Sequence, residues 1–255
     1  MPFIRAGGHR LDYLSIDAGA HDRPTLVLLH EGLGSVAMWR DFPHLLAHAT
    51  ASRVVAYSRQ GYGDSDPLTA PRTVRYMHDE AERVLPEFLD GLAIERPLLV
   101  GHSDGGSIAL IHAGAGSRAV AGIVAMAPHV IVEDVSIASI AVAREAYETT
   151  ALRDKLARHH SDVDGAFRGW NDIWLSADFR AWNIESYLPR IACPILAMQG
   201  EDDEYGTMDQ LARIARGARD VELLKLPDCR HSPHRDQPDA VLAAIARFVD
   251  RVAVR

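Results

Sequence analysis

The chain has 255 residues, of which 47% are hydrophobic and 24% charged, and this balance excludes the disordered, collagen-like and disulfide-scaffold classes. Its formal net charge is -8 and it contains no long run of Lys or Arg, so neither nucleic acid nor an anionic membrane surface is expected as a partner. This length suits one α/β domain that carries one sizeable insertion.

The cysteine content and the N-terminal segment indicate the cellular compartment in which the protein is expected. Two cysteines, Cys193 and Cys229, are too few for the disulfide framework of oxidising compartments, so free thiols are expected. The N-terminus lacks the apolar core of a signal peptide, and nowhere do about 18 apolar residues run together. We therefore expect a cytoplasmic protein without a membrane span that acts on a small molecule. The sequence leaves the oligomeric state open, with a homodimer as one candidate.

Short apolar runs between turn residues predict buried strands that alternate with amphipathic helices. An antiparallel hairpin is expected first, over residues 3–18. The strands predicted after it are residues 25–30, 53–58, 97–102, 120–127, 194–200 and 221–226. The predicted helices are residues 38–48, 75–92, 105–115, 208–216 and 238–252. Strand alternating with helix predicts a mostly parallel sheet of about eight strands with helices on both faces.

One segment, residues 130–188, breaks the alternation because it holds helix-like sequence and no strand candidate. We interpret it as a helical cap inserted into a core formed by residues 1–129 and 189–255.

Aromatic residues are concentrated in this insertion. Phe167, Trp170 and Trp174 fall on one helix face because they are spaced by three and four positions. The stripe either packs the cap onto the core or, together with Trp182 and Tyr187, lines a partly apolar substrate pocket.

The strongest chemical signal is a Gly-x-Ser-x-Gly motif at residues 101–105, between a predicted strand and a predicted helix. On such a turn the flanking positions must be small because strand and helix nearly touch, and Gly101 and Gly105 meet this need. The turn would present Ser103 at the top of the sheet, above a helix N-terminus that stabilises negative charge. The alternative is a plain glycine-rich turn.

A serine hydroxyl is a weak nucleophile without a base, so a histidine and an orienting carboxylate are required further along the chain. An acidic loop, residues 201–206, follows the penultimate strand, and a histidine loop, residues 227–234, follows the last one. Nucleophile, acid and histidine thus occur in the order of the α/β-hydrolases.

In these motifs and their order the chain resembles the α/β-hydrolase superfamily, in its compact esterase-like branch with a helical cap. The resemblance covers almost the whole chain and includes the segment Arg59-Gln60-Gly61-Tyr62-Gly63-Asp64-Ser65. It implies an α/β-hydrolase fold with a cap and a serine hydrolase that uses a catalytic triad.

The resemblance also selects among the candidate acids and bases. In similar proteins the acid commonly lies three residues after the glycine that closes the strand, which implies Asp203, with Asp202 as the alternative. Family members carry a histidine segment in which the first histidine is catalytic, which favours His231 over His234. We expect His234 to be partly exposed. Arg230 stands where the family often has glycine.

Acyl transfer further requires donors aimed at the oxyanion, usually two backbone amides. One would be the N–H of Asp104 and the other would come from the oxyanion loop, residues 30–35. Gly32 is favoured, and Leu33 takes its place if Glu31 is an insertion. The Asp104 carboxylate would oppose the developing charge unless it caps the helix or contacts the cap.

Of the remaining histidines, His30 and His102 are expected to pack beneath the site, whereas His129 could line the pocket. Neither metal-ligand spacing nor a phosphate-binding glycine motif occurs, so no cofactor is expected. The expected activity is hydrolysis of a small to medium, partly apolar carboxylic ester. A carbon-carbon bond hydrolase or lactonase with the same triad is the alternative, and a hydrolase-fold ligand receptor is the alternative of another class.

Overall fold

The computed structural model describes residues 1–17 and 22–254, and an eight-stranded sheet forms its centre. The strands are β1 (Phe3–Ala6), β2 (His9–Ile16), β3 (Leu26–Leu29), β4 (Val54–Tyr57), β5 (Leu98–His102), β6 (Gly122–Met126), β7 (Ile195–Gly200) and β8 (Val221–Leu226). Their order is β1-β2-β4-β3-β5-β6-β7-β8. β1 pairs antiparallel with β2 and β2 pairs antiparallel with β4, whereas the other five pairs are parallel. The predicted sheet is confirmed, and Ala18 of the predicted hairpin lies outside the described residues.

Helices cover both faces of the sheet. Because side chains alternate along a strand, Leu26 and Leu28 pack on one face while Val27 and Leu29 pack on the other. The first face is covered by α1 (Phe42–Thr50) and α10 (Pro238–Ala253). The second is covered by α2 (Tyr76–Asp79), α3 (Leu85–Gly91), α4 (Asp104–Ala115) and, further along the chain, α8 (Asp209–Gly217). This is the layered arrangement expected for a parallel sheet.

Two predicted helices differ in detail from the structure. The first, predicted over 38–48, is a 3-10 turn (Val36–Trp39) followed by α1, because Pro43 is tolerated only in a first helical turn. The second, predicted over 75–92, contains a π-helical turn (Glu80–Val84) just before Pro86. A proline lacks the N–H that would continue the regular helical ladder, and the π turn accommodates that loss.

The segment inserted between β6 and β7 is helical. It contains α5 (Asp134–Thr149), α6 (Leu152–Leu156), α7 (Val163–Trp174) and two 3-10 turns, Ala177–Ala181 and Glu185–Arg190. Residues 130–188 are all described and contain no strand, only an isolated bridge between Ile131 and Asn183.

The carboxyl ends of the parallel strands meet at one edge of the sheet, where ligands bind in folds of this type. β3 leads into the oxyanion loop, β5 into the Gly-x-Ser-x-Gly turn, β7 into the acidic loop and β8 into the histidine loop. The short helix α9 (Pro233–Asp236) closes the histidine loop. In the described ranges, 1–17 and 22–254, no helix combines the length and the apolar character that crossing a membrane requires.

Candidate active site

Ser103 lies on a sharp turn between β5 and α4, with φ 53° and ψ -118°. A Cβ added at Gly101 would come within 2.2 Å of the Gly105 carbonyl oxygen, and one at Gly105 within 1.9 Å of that of Leu29. Strand and helix therefore approach each other so closely that only glycine fits at either position. Left-handed backbone angles at a non-glycine residue cost energy and are concentrated at functional sites.

The structure brings Ser103, His231 and Asp203 together from three different strand ends. His231 Nε2 lies 3.0 Å from Ser103 Oγ, and His231 Nδ1 lies 2.8 Å from Asp203 Oδ1. The N–H of Tyr205 also donates to Asp203 Oδ1, at 2.8 Å. Burial raises the pKa of Asp203, but the hydrogen bond and the charge of His231 outweigh it, so the pKa lies below its usual value. The carboxylate is thus held in its charged form against the imidazole.

The other residues of the acidic loop have different surroundings. Asp202 is exposed. Glu204 accepts a hydrogen bond from the backbone N–H of His231 at 3.2 Å. Glu204 therefore contacts the loop of the imidazole without contacting the imidazole itself.

His234 is buried, so the expectation that it is partly exposed is wrong. It is 4% exposed and packs against the rings of Trp39, Phe42 and His102, with centroid distances of 5.0, 5.2 and 5.0 Å. Neither ring nitrogen has a hydrogen-bond partner within the described part of the chain. Burial holds the pKa of His234 well below its usual value, which favours the neutral ring.

The two predicted oxyanion donors lie beside Ser103. Asp104 is the first residue of α4, and the first N–H groups of a helix have no partner within it. Gly32 approaches the indole of Trp170, where an added Cβ would come within 2.2 Å of Nε1. Leu33, the alternative donor, also lies here, and its carbonyl oxygen accepts from His160 Nε2 at 3.0 Å.

The carboxylate of Asp104 is buried, and it neither caps α4 nor accepts a hydrogen bond from the insertion. Tyr76 donates its hydroxyl to Asp104 Oδ2 at 2.7 Å, and Arg59 NH1 lies 3.6 Å from the same oxygen. Trp174 Nε1 in turn donates to the Tyr76 hydroxyl oxygen at 2.9 Å, so the insertion reaches Asp104 through Tyr76. Arg59 belongs to the segment 59–65 that carries the family resemblance, but no role was predicted for Arg59 or for Tyr76.

Next to Ser103 is a cavity of about 110 Å³. Its lining comes from the oxyanion loop, the strand ends and the insertion: Glu31, Gly32, Leu33, His102, Ser103, His129, Ile140, Trp170, Trp174, Tyr205, His231 and Ser232. Most of these side chains are apolar or aromatic, which is typical of small-molecule sites.

Three of the six candidate pocket residues line this cavity, namely His129, Trp170 and Trp174. Trp182 lies outside the lining, where its ring stacks on Phe179 at a centroid distance of 5.5 Å. Burial lowers the pKa of His129 to about 4, with a further contribution from the charge of His231.

The remaining aromatic candidates pack elsewhere. Phe167 stacks on Tyr147 at 3.7 Å, and Tyr187 donates its hydroxyl to Glu82 at 2.8 Å. Of the predicted stripe, Phe167 therefore packs the insertion internally, whereas Trp170 and Trp174 face the cavity.

Glu31 is a lining residue for which no role was predicted. Its carboxylate lies 3.6 Å from His102 Nδ1 and 3.6 Å from Arg235 NH2. Burial raises the pKa of Glu31, but the neighbouring His102 and the charge of Arg235 hold it well below its usual range. A negative charge therefore borders the cavity. Among residues 1–17 and 22–254, no three His, Cys, Asp or Glu side chains cluster as metal ligands do.

Comparison with known proteins agrees with this architecture. The model of the alpha/beta hydrolase family matches residues 26–244, and the chain belongs to that family. A protein provisionally named carbamate hydrolase RutD, from Caulobacter sp. strain K31, is 28% identical, and the match covers 90% of this chain and 92% of that protein.

Among solved structures, a carboxylesterase of the thaumarchaeon Nitrososphaera gargenis has a TM-score of 0.80 at 20% identity, and the match covers 98% of each chain. The enol-lactonase of Burkholderia xenovorans LB400 has a TM-score of 0.77 at 20% identity and covers 98% of this chain and 100% of its own. At these identities the likeness shows the fold alone. The chain is a hydrolase of the α/β-hydrolase fold, as the sequence predicted.

Proposed function

We propose that this protein is a serine hydrolase that cleaves a small to medium, partly apolar carboxylic ester through an acyl-enzyme on Ser103. The observation that supports it is the continuous contact from Ser103 Oγ to His231 Nε2 at 3.0 Å and from His231 Nδ1 to Asp203 Oδ1 at 2.8 Å. This is the geometry in which an imidazole deprotonates a serine while a buried carboxylate orients the ring.

The reaction proceeds in two acyl transfers. His231 accepts the Ser103 proton as Oγ attacks the ester carbonyl, and the backbone N–H groups of Gly32 and Asp104 stabilise the oxyanion. Collapse of this intermediate releases the alcohol, which takes the proton from His231. Water, deprotonated by His231, then attacks the acyl group, and the acid leaves as Ser103 regains its proton.

Residues 130–188 act as a cap over a core of residues 1–129 and 189–255 in this proposal. Two kinds of contact support it. Ser136 and Ser139 of α5 donate their hydroxyls to the carbonyl oxygens of Tyr205 and Glu204 in the acidic loop. Trp170 and Trp174 of α7, from the same insertion, form one wall of the cavity.

The size and charge of the cavity narrow the substrate class. A volume of about 110 Å³ lies below the roughly 300 to 1,000 Å³ of typical small-molecule pockets, which favours a short acyl group. Among the described residues, the cavity lining contains the Glu31 carboxylate and neither Lys nor Arg, so the carboxylate of a ring-cleavage product of the dienoic acid type would lack a cationic partner there. A neutral ester therefore fits better than the substrate of a carbon-carbon bond hydrolase.

A hydrolysis panel tests the proposal. We expect turnover of p-nitrophenyl acetate and butyrate, less of the octanoate, and none of a dienoic diketone acid; a lactone and a carbamate complete the panel. Ser103→Ala should abolish turnover because it removes only the nucleophilic oxygen. The exposed Ser117→Ala is the matched control and should keep the wild-type rate.

Two further readouts separate the alternatives. A fluorophosphonate should label Ser103, and an adduct found by mass spectrometry on another serine would overturn the proposal. Product formation well beyond one equivalent per protein excludes the ligand receptor. Cleavage of the dienoic substrate in preference to all esters would favour the carbon-carbon bond hydrolase instead.

A further inference from the structure

The two segments proposed to supply the oxyanion donors meet on one buried side chain, that of Arg59. Arg59 follows β4, is 1% exposed, and donates from NH2 to the carbonyl oxygen of Glu31 at 2.8 Å and to that of His30 at 3.3 Å. Its NH1 lies 3.6 Å from Asp104 Oδ2. One guanidinium therefore touches both the oxyanion loop and the first residue of α4.

The contact with the oxyanion loop fixes the direction of a backbone N–H. The carbonyl of Glu31 and the N–H of Gly32 belong to one planar trans peptide and point in opposite directions. Arg59 and His30 both hold this carbonyl oxygen, since His30 Nδ1 lies 2.7 Å from it. With the carbonyl fixed towards the buried guanidinium, the Gly32 N–H is turned to the opposite side of the peptide, and Gly32 lines the cavity.

The contact with Asp104 serves the second donor. The Tyr76 hydroxyl donates a hydrogen bond to its carboxylate, and Arg59 NH1 forms an ion pair with the same oxygen at 3.6 Å. Asp104 is also the residue whose backbone N–H follows the nucleophile. The guanidinium also offsets a carboxylate charge that would otherwise oppose the oxyanion. A buried charge without a partner is strongly unfavourable, so the two side chains depend on each other.

We infer that Arg59 and Asp104 are positioning residues that align the two oxyanion donors, and that Tyr76 couples this pair to the Trp174 wall of the cavity. The inference rests on the proposed serine-hydrolase function. The oxyanion exists in the tetrahedral transition state and not in the bound ester, so the two donors stabilise mainly the transition state. Loss of either side chain should therefore lower kcat and leave KM nearly unchanged.

Two variants and one control test the pair. Asp104→Asn keeps the shape of the side chain and removes its charge, and Arg59→Lys keeps the charge but loses the planar fork that reaches several oxygens. Glu80→Gln is the control. Glu80 is also a buried carboxylate near Arg59. It accepts a hydrogen bond from the Tyr57 hydroxyl at 2.5 Å, and Tyr57 belongs neither to the oxyanion loop nor to α4.

The readout is chosen so that partial unfolding does not imitate the effect. Active sites are counted by fluorophosphonate titration of Ser103, and kcat is expressed per titrated site. We expect kcat to fall roughly 10- to 100-fold in both variants. A displaced backbone N–H weakens its hydrogen bond to the oxyanion, and the loss is at most that of the whole hydrogen bond. The Ki of phenylboronic acid, which forms a tetrahedral adduct on the serine, should rise by the same factor.

The control and the combined variant complete the design. Glu80→Gln should stay within about twofold of wild type in kcat and Ki. Arg59→Lys combined with Asp104→Asn should lose about as much as either single variant, since groups that act as a unit are not additive. Should Asp104→Asn fail to fold, Tyr76→Phe removes one hydroxyl from the same network, and we expect a roughly three- to tenfold loss of kcat with the same rise in Ki.

Each outcome bears on the inference. Unchanged kcat in both variants, an equal loss in Glu80→Gln, or a rise in KM with unchanged boronate Ki would overturn it and leave the proposed function intact. If the wild-type protein neither hydrolyses esters nor reacts at Ser103, the proposed function fails and the inference with it.

Discussion

The imidazole of His102 donates from Nε2 to the backbone carbonyl oxygen of His231 at 2.7 Å, and this bond ties the end of β5 to the loop after β8. His102 directly precedes Ser103, so the nucleophile and the proposed base are connected by their side chains and also through this second contact. His102 is 1% exposed, which protects the bond from water. The separation of Ser103 and His231 is thus set by this hydrogen bond from a buried side chain as well as by the contact between their own side chains.

The acidic loop offers a direct comparison between adjacent carboxylates. Asp203→Asn should lower kcat by roughly 10³- to 10⁴-fold because the amide no longer supplies the charge that orients the His231 tautomer. Asp202→Asn should change it by about twofold or less, since that exposed carboxylate is screened by water. Steady-state kinetics on protein of wild-type thermal stability measures both. An Asp202→Asn variant that lost as much as Asp203→Asn would exclude the proposed acid.

The size of the cavity can be changed at Ile140, which lines it from α5 and is 1% exposed. Ile140→Ala should move the preference from acetyl and butyryl towards longer acyl esters because it removes volume from the wall. A stability loss of about 2 to 5 kcal/mol is expected for such a truncation, so assays belong well below the transition temperature. The ratio of kcat/KM for p-nitrophenyl octanoate and acetate reports the effect. A ratio equal to that of wild type would mean that the acyl chain lies elsewhere.

The close approach of the Gly32 backbone to the indole of Trp170 can be tested by adding a methyl group. Gly32→Ala should reduce kcat/KM by roughly tenfold or more, because a Cβ placed 2.2 Å from Trp170 Nε1 must displace either the indole or the proposed oxyanion donor. Trp170→Leu in the same chain should recover part of the loss, since the smaller side chain leaves room for the methyl group. No recovery, with both variants folded, would show that the cost does not arise from this contact.

Buried histidines predict that the protein loses stability in mild acid. The residues whose pKa is lowered by burial are His30, His78, His112, His129, His160 and His234. A histidine whose folded pKa lies below its unfolded value of about 6.5 binds fewer protons when folded, so unfolding becomes more favourable as the pH falls through that value. We expect Tm to fall steadily from pH 7.5 to 5.

The contribution of one histidine, His234, to this acid sensitivity can be measured separately. His234→Phe cannot take up a proton and removes two ring nitrogens that have no partner in the described part of the chain. Its Tm should exceed that of wild type, and the difference should widen as the pH falls. Exposed His44→Gln is the matched control, for which no widening is expected. A difference that stayed constant with pH would mean that His234 is not a source of the acid sensitivity.

Much of the architecture followed from local sequence alone. Buried parallel strands require continuous apolar runs, and Leu98–His102 and Ile195–Gly200 are such runs, so periodicity and turn residues located them. Chain order then placed the Gly-x-Ser-x-Gly motif, the acidic loop and the histidine loop at the carboxyl ends of these strands, and the family confirmed the fold. These features depend on neighbours within a few residues, which the sequence contains.

What the sequence could not decide depends on contacts between distant segments. Spacing favoured Asp203 over Asp202, but only the folded chain shows which carboxylate lies against His231, 28 positions away. The environment of His234 was predicted wrongly because Trp39 and Phe42, which bury it, come from the far end of the chain. Arg59 and Tyr76, the partners of Asp104, likewise lie 45 and 28 positions from it in the sequence. The sheet order β4-β3-β5 brings Arg59 close to it, and the packing of α2 against α4 brings Tyr76. A buried carboxylate must find its cation and its hydrogen-bond donors in space, and no local pattern specifies which residues those are.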